Sequence, residues 1–189
     1  MSGVSASRTT LIAVYSLLSK FDVNQYGTVY TVVRYSNETS MITGSLTLSS
    51  IVMSEDDGRI CGGSDHNVFG ALRKARTEFF TATFGSYSYY SSTGDRLAIP
   101  DVVVIISTGS STNASALAAA NIEADLIKEQ DVKIVTVGVG PDVNATELAG
   151  IASNATQAEK FVVDSPEDLE GLIPDLVTAM CDFSVEGTC

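Results

Sequence analysis

Leu11, Val14, Tyr15, Leu18 and Phe21 recur at the three- and four-residue spacing that lines one face of a helix, so the chain is expected to open on an amphipathic helix. The period then shortens to that of extended chain. Thr28-Val-Tyr-Thr-Val-Val-Arg-Tyr is β-branched and aromatic, and a second strand is expected over residues 40–48. The turn formers of Ser36-Asn-Glu-Thr lie between the two, which predicts a hairpin. A loop rich in Asp, Gly and Ser follows at residues 54–65. Val68, Leu72, Ala75, Phe79 and Phe80 restore helical spacing, and a polar, aromatic run at residues 86–95 breaks it again as an exposed loop.

The second half alternates regularly. Asp101-Val-Val-Val-Ile-Ile-Ser offers no polar face, as expected of a strand buried on both sides in a parallel sheet. Residues 114–128 favour helix, Val132-Lys-Ile-Val-Thr-Val-Gly-Val a strand, residues 144–152 a short helix, and Lys160-Phe-Val-Val-Asp a last strand. Ser165 as cap, Pro166 in the first turn and Asp168 mark a helix start. Leu169, Leu172, Ile173, Leu176, Val177 and Met180 then share one face. Such alternation predicts an α/β fold, a doubly wound and mostly parallel sheet with helices on both faces. No repeat or linker divides the 189 residues, so a single domain is expected, with residues 182–189 as a short tail.

Charge narrows the partners. A formal charge of -12 repels phosphate backbones, so neither nucleic acid nor an anionic membrane surface is an expected partner. No apolar run is long enough to span a bilayer. Residues 1–8 lack the charged-then-apolar order of a secretory signal, so either the protein is not exported or its true amino terminus lies upstream. Cys61, Cys181 and Cys189 match no zinc spacing, and the single histidine, His66, speaks against a His/Cys metal site. In an exported protein this odd count means one bridge plus a free thiol, or a partner cysteine elsewhere. Asn37, Asn113, Asn144 and Asn154 each begin an Asn-x-Ser/Thr sequon, more than composition alone supplies, and they point to a secreted glycoprotein.

The order Asp101-Val-Val-Val-Ile-Ile-Ser-Thr-Gly-Ser, Val132-Lys-Ile-Val-Thr-Val-Gly-Val-Gly, Thr146-Glu-Leu-Ala-Gly-Ile-Ala-Ser and Asp164-Ser-Pro-Glu-Asp-Leu resembles a von Willebrand factor A domain. Val33-Arg-Tyr-Ser and Gly70-Ala-Leu-Arg-Lys-Ala extend the resemblance upstream, and Cys181 follows the last helix where that family ends. The similarity covers residues 5–181. It implies a first, central strand ending in Asp-x-Ser-x-Ser, but here only a few residues precede the first helix, with Ser2 at or just past the motif's end. The sheet is therefore expected to lack a central strand, and the sequence to be a fragment or truncated gene model of a longer, multidomain chain.

The resemblance also implies a ligand face at a metal-ion-dependent adhesion site. Its positions fall on Ser2, on Ser64, Asp65 and His66, and on Ser107, Thr108 and Ser110. Where the family carries a Thr-Asp-Gly turn this chain reads Ser107-Thr108-Gly109, which exchanges a carboxylate for a hydroxyl. Hard cations such as Mg²⁺ need charged oxygen ligands, and neutral imidazole suits them poorly. The site is thus expected to be degenerate, with no cofactor beyond a residual chance of Mg²⁺. Ser64, Asp65 and His66 are sequence neighbours, not a convergent triad, so no catalytic role is assigned. Val137-Gly-Val-Gly-Pro lacks the residues of a phosphate loop and reads as a tight turn.

Two function classes follow. The first is an extracellular, non-catalytic recognition or adhesion module for a protein or glycan, working largely without metal. The alternative is an intracellular nucleotide- or flavin-binding α/β protein, against which the missing phosphate loop and the sequons weigh.

Overall fold

The computed structural model describes residues 3–22, 28, 30–35, 39–45, 67–80, 100–111, 113–154 and 160–182. In order these form α1 (Gly3–Leu18), β1 (Tyr30–Tyr35), β2 (Thr39–Ser45), α2 (Val68–Lys74), β3 (Val102–Ser107), α3 (Ala114–Lys128), β4 (Lys133–Val139), α4 (Ala145–Ile151), β5 (Lys160–Val163) and α5 (Leu169–Cys181). A π-helical turn (Ala75–Phe79) continues α2, and a 3-10 turn (Pro166–Asp168) leads into α5. The loops expected at residues 54–65 and 86–95 lie outside the described residues.

The strands form two separate sheets. β1 and β2 pair antiparallel as the expected hairpin, with a register shift between Val32 and Val33. β3, β4 and β5 pair parallel in that order, Val102 opposite Lys133 and Thr136 opposite Lys160. β4 is the middle strand, and all of residues 134–139 are buried. β3 is as apolar in sequence, yet only Ile105 and Ser107 are buried along it. The reason is its second edge. Among the described residues no strand pairs there, so the continuous apolar run that predicts two covered faces is only half enclosed.

Helices cover both faces of the parallel sheet. On one, Ala13 and Leu17 of α1 and Leu169, Ile173, Leu176 and Ala179 of α5 pack with Val135, Val137 and Val139. On the other, Val68 and Leu72 of α2 and Ala120, Ala124 and Ile127 of α3 pack with Ile105 and Ile134. A third cluster joins α1 to the hairpin through Leu18, Val14, Tyr30 and Val32. This is the doubly wound α/β arrangement, with β3, β4 and β5 as its parallel strands among the described residues.

Local chemistry fixes the ends of the helices. The Asn67 side chain accepts from Gly70 N at 2.8 Å, that of Asn113 from Ala116 N at 2.9 Å, and that of Asn144 from Thr146 N at 3.0 Å. Each supplies an acceptor to amide groups that have no partner inside the helix. Arg76 in the π turn pairs at 2.8 Å with Glu123, which is buried on α3, tying the two helices together. Ser165 behaves differently from the sequence expectation. Its hydroxyl donates to the Asp168 carboxylate at 2.7 Å and caps no backbone amide, because the 3-10 turn intervenes before α5.

Candidate functional site at the carboxyl ends of the strands

In open parallel sheets, ligands approach from the carboxyl ends of the strands. Here that edge carries residues 107–111 after β3, residues 140–144 after β4 and the first turn of α4. Ser107, the last residue of β3, is buried, and its hydroxyl donates to the Gly109 carbonyl at 2.9 Å, folding the chain back on itself. Thr108 is exposed, Gly109 buried and Ser110 half-buried.

The loop is held from the opposite side by Glu147. Its side chain is only 5% exposed, in the first turn of α4. The Ser111 amide donates to both of its oxygens, at 3.0 and 2.9 Å, and the Ser111 hydroxyl donates to Oε1 as well. A carboxylate taken out of water must be compensated by donors of this kind, and charge-assisted bonds are the stronger class. Asn144 braces the same turn by accepting from Thr146 N and Glu147 N.

Tyr35, the last residue of β1, completes the cluster. Its hydroxyl donates to the Ile106 carbonyl at 3.1 Å, across 71 residues of sequence. Burial pushes the phenol up to about 12, the hydrogen bond with Ser107 acts the other way, and the Glu147 charge raises it further. Above pH 10 the unfolded chain loses this proton while the folded protein keeps it up to about pH 12, so stability falls as pH rises through that window. Denaturant melts at about pH 9 and about pH 11 should show wild type losing more stability than Tyr35→Phe between the two. Equal losses would show that the phenol is not held.

Two glycines shape the neighbouring loop. A Cβ on Gly138 would meet Val143 Cγ1 at 2.5 Å and Leu148 Cδ1 at 2.8 Å, and Gly140 has a φ of 92°. They serve close packing and a left-handed turn, as the sequence suggests, and not a phosphate cradle.

Of the sequence-derived face, Ser107, Thr108 and Ser110 come together on this edge, while Ser2, Ser64, Asp65 and His66 lie outside the described residues. Asn113 and Asn144 are exposed at helix starts beside the edge, Asn154 is exposed after α4, and Asn37 is not among the described residues. Cys181 is disulfide-bonded, and Cys61 and Cys189 both lie outside the described residues. Glu147 and Tyr35 were not singled out by sequence. The spacing Asn144-x-x-Glu147 was the available signal, since it is that of a capping box.

The described donors do not suit a hard cation. Ser107 is engaged with Gly109, Thr108 offers a neutral hydroxyl, and the buried carboxylate of Glu147 is taken up by Ser111. Among the described residues no group of three His, Cys, Asp or Glu side chains could hold a metal ion.

Comparison with known proteins places the chain. The family model of the von Willebrand factor type A domain matches residues 5–175. Proximal thread matrix protein 1 from the mussel byssus, solved with a zinc-occupied metal-ion-dependent adhesion site, is similar over 94% of this chain and 43% of its own, at 19% identity and a TM-score of 0.78. This chain thus spans less than half the length of that protein. The domain of the type V pilus tip protein Mfa5 from Porphyromonas gingivalis aligns over 98% of this chain and 90% of its own (12% identity, TM-score 0.68). Manganese-loaded TRAP protein from Plasmodium vivax aligns over 88% and 64% (12% identity, TM-score 0.62). At these identities the structures speak for the fold, and the family match together with that fold shows that this chain belongs to the von Willebrand factor type A domain family.

Proposed function

We propose that the chain is an extracellular, non-catalytic recognition module that contacts a protein or glycan through the loop at residues 107–111 and the adjoining turn at residues 140–144, without requiring a metal ion. Domains of this family serve adhesion and protein interaction. The observation that carries the metal-independent reading is the saturation of Glu147 by Ser111 beside a neutral Thr108. A face held rigid by protein donors needs no cation to order it, and rigidity reduces the entropy lost on binding.

Export is supported by the bonded state of Cys181, since disulfides persist in oxidising compartments, and by the exposed sequon asparagines. Sugars on Asn113 or Asn144 would border the loop and restrict the approach of a large partner. The asparagine carbonyl oxygen that caps each helix remains available when the amide nitrogen carries a glycan, so capping and glycosylation are compatible. No helix among the described residues is long and apolar enough to cross a membrane.

Thermal melts with EDTA and with added Mg²⁺, Mn²⁺ or Zn²⁺ provide the test, read alongside binding to a glycan array and to a panel of extracellular matrix proteins. The melting temperature is expected to stay within about one degree throughout, and binding in EDTA to be lost in Ser110→Arg. A metal-dependent shift of several degrees, or binding that EDTA abolishes, would overturn the metal-independent reading. Binding untouched by Ser110→Arg would move the contact surface elsewhere.

A further inference from the structure

α1 and α5 lie on the same face of the parallel sheet, where their inward side chains share one apolar cluster. On their outward side they leave a groove of about 190 Å³, lined by Thr9, Ile12 and Ala13 of α1 and by Pro166, Glu167 and Glu170 at the start of α5. It sits past the end of β5, two strands away from β3 and the loop at residues 107–111.

The apolar part of this groove is uncovered. Among the described residues four large apolar side chains are exposed, and two of them, Ile12 at 47% and Tyr15 at 37%, stand one turn apart on α1. Single exposed apolar residues are ordinary on a protein surface. A pair at i and i+3 shares one helix face, and Ile12 adjoins Ala13 and Pro166 in the groove, so the exposure is continuous.

The α5 side offers acceptors that lack donors. Glu167 and Glu170 are exposed, and the ion pairs among the described residues are Lys74–Glu78, Arg76–Glu123 and Lys128–Asp125, which leave both unused. Arg8, exposed one turn before Ile12 on α1, belongs to none of these pairs. Pro174 adds a third acceptor. It stands inside α5 and has no N–H, so the Glu170 carbonyl four residues back cannot receive its helical hydrogen bond. Complementing the positive end of α5 accounts for carboxylates at a helix start. It does not account for an exposed apolar strip and a carbonyl denied its helical donor beside them.

Size and charge select the occupant. Small-molecule sites run to about 300–1,000 Å³, so this groove suits a side chain or two of another protein. Its acidic rim, in a chain of charge -12, repels anions and favours donors that carry positive charge. We infer that the groove between α1 and the start of α5 docks a segment of a partner protein in which one apolar side chain is flanked by lysine or arginine. The apolar side chain lies against Ile12, with Tyr15 extending the contact. The basic side chains reach the Glu167 and Glu170 carboxylates and the Glu170 carbonyl.

Fluorescence polarisation with the labelled peptide Gly-Lys-Arg-Leu-Arg-Lys-Gly at low salt provides the test. Saturable binding is expected, and it should weaken as added salt screens the rim. Replacing the peptide's leucine by serine should weaken it about tenfold, a result that does not depend on how any variant protein folds. Ile12→Asp and Glu170→Lys should each weaken it about tenfold as well. Glu129→Lys makes the same change of charge at the end of α3, on the opposite face of the sheet, and should alter binding less than about twofold. Equal loss from Glu129→Lys and Glu170→Lys would mean that the peptide follows net charge and not the groove, which overturns the inference. So would indifference to the leucine, or no saturable binding at millimolar peptide.

Discussion

The Glu147→Ala protein is expected to be less stable than wild type by about 3 kcal/mol, a large effect for a single polar side chain. Two donors end on this carboxylate, the Ser111 amide shared between its two oxygens and the Ser111 hydroxyl, and hydrogen bonds to a charged group contribute about 1.5–3 kcal/mol each before non-additivity is allowed for. Burying a carboxylate carries its own desolvation cost, made worse in a chain of charge -12, and alanine removes that cost. The loss nevertheless dominates, because truncation leaves the Ser111 amide and hydroxyl without their acceptor while still partly shielded from water. Glu147→Gln keeps one acceptor oxygen and should lose about half as much. Urea titration gives the magnitude. Hydrogen exchange at Ser111 gives the cause, since its amide should lose protection in the alanine variant well before the β4 amides do. Loss shared equally by β4 would mean that Glu147 supports the fold at large and not this loop. Removing the charge also removes one of the influences that raise Tyr35, so the alkaline window of Glu147→Gln should begin to close from its upper end.

What the sequence reveals and conceals divides along contact range. β4, α3 and α5 are read correctly because their signals are local: continuous β-branched residues, an alanine- and leucine-rich segment, and an apolar stripe at helical spacing. The α/β class is legible as well, through the strand-helix alternation, and the parallel sheet with helices on both faces bears it out. The site is harder. Asn144-x-x-Glu147 has the spacing of a capping box, in which the glutamate turns back to its own helix start, but Glu147 instead reaches Ser111, 36 residues upstream. Tyr35 looks like one more strand aromatic until it is found on Ile106, 71 residues away. Periodicity carries no information about such partners. The π turn at Ala75–Phe79 is equally invisible, since its residues suit an ordinary helix. The opposite failure occurs at Asn113 and Asn144, where one residue type satisfies two grammars, that of a sequon and that of a helix cap. Counting sequons alone therefore overstates what those two positions say about glycosylation.

Ile134→Ala should cost about 3–4 kcal/mol, and Val104→Ala under about 1.5 kcal/mol, although the two residues sit on neighbouring strands with similar sequences. Ile134 is fully buried and packs with Leu72, Ala124, Ile127 and Ile151. Its backbone stays anchored after truncation, because the amide donates to Ser153 Oγ at 2.8 Å and the carbonyl accepts from Ser153 N at 3.0 Å. The surroundings cannot collapse into the space, so the cavity contribution is added to the lost transfer energy. For a domain of this size that amounts to about 6–16 °C in melting temperature. Val104 lies on β3 and is only partly buried, so alanine there exposes less and leaves no closed void. A smaller penalty at Val104 than the difference in side-chain size accounts for is the energetic counterpart of the β3 edge on which no described strand pairs. Should Val104→Ala instead cost as much as an enclosed valine, β3 would be as well enclosed as β4.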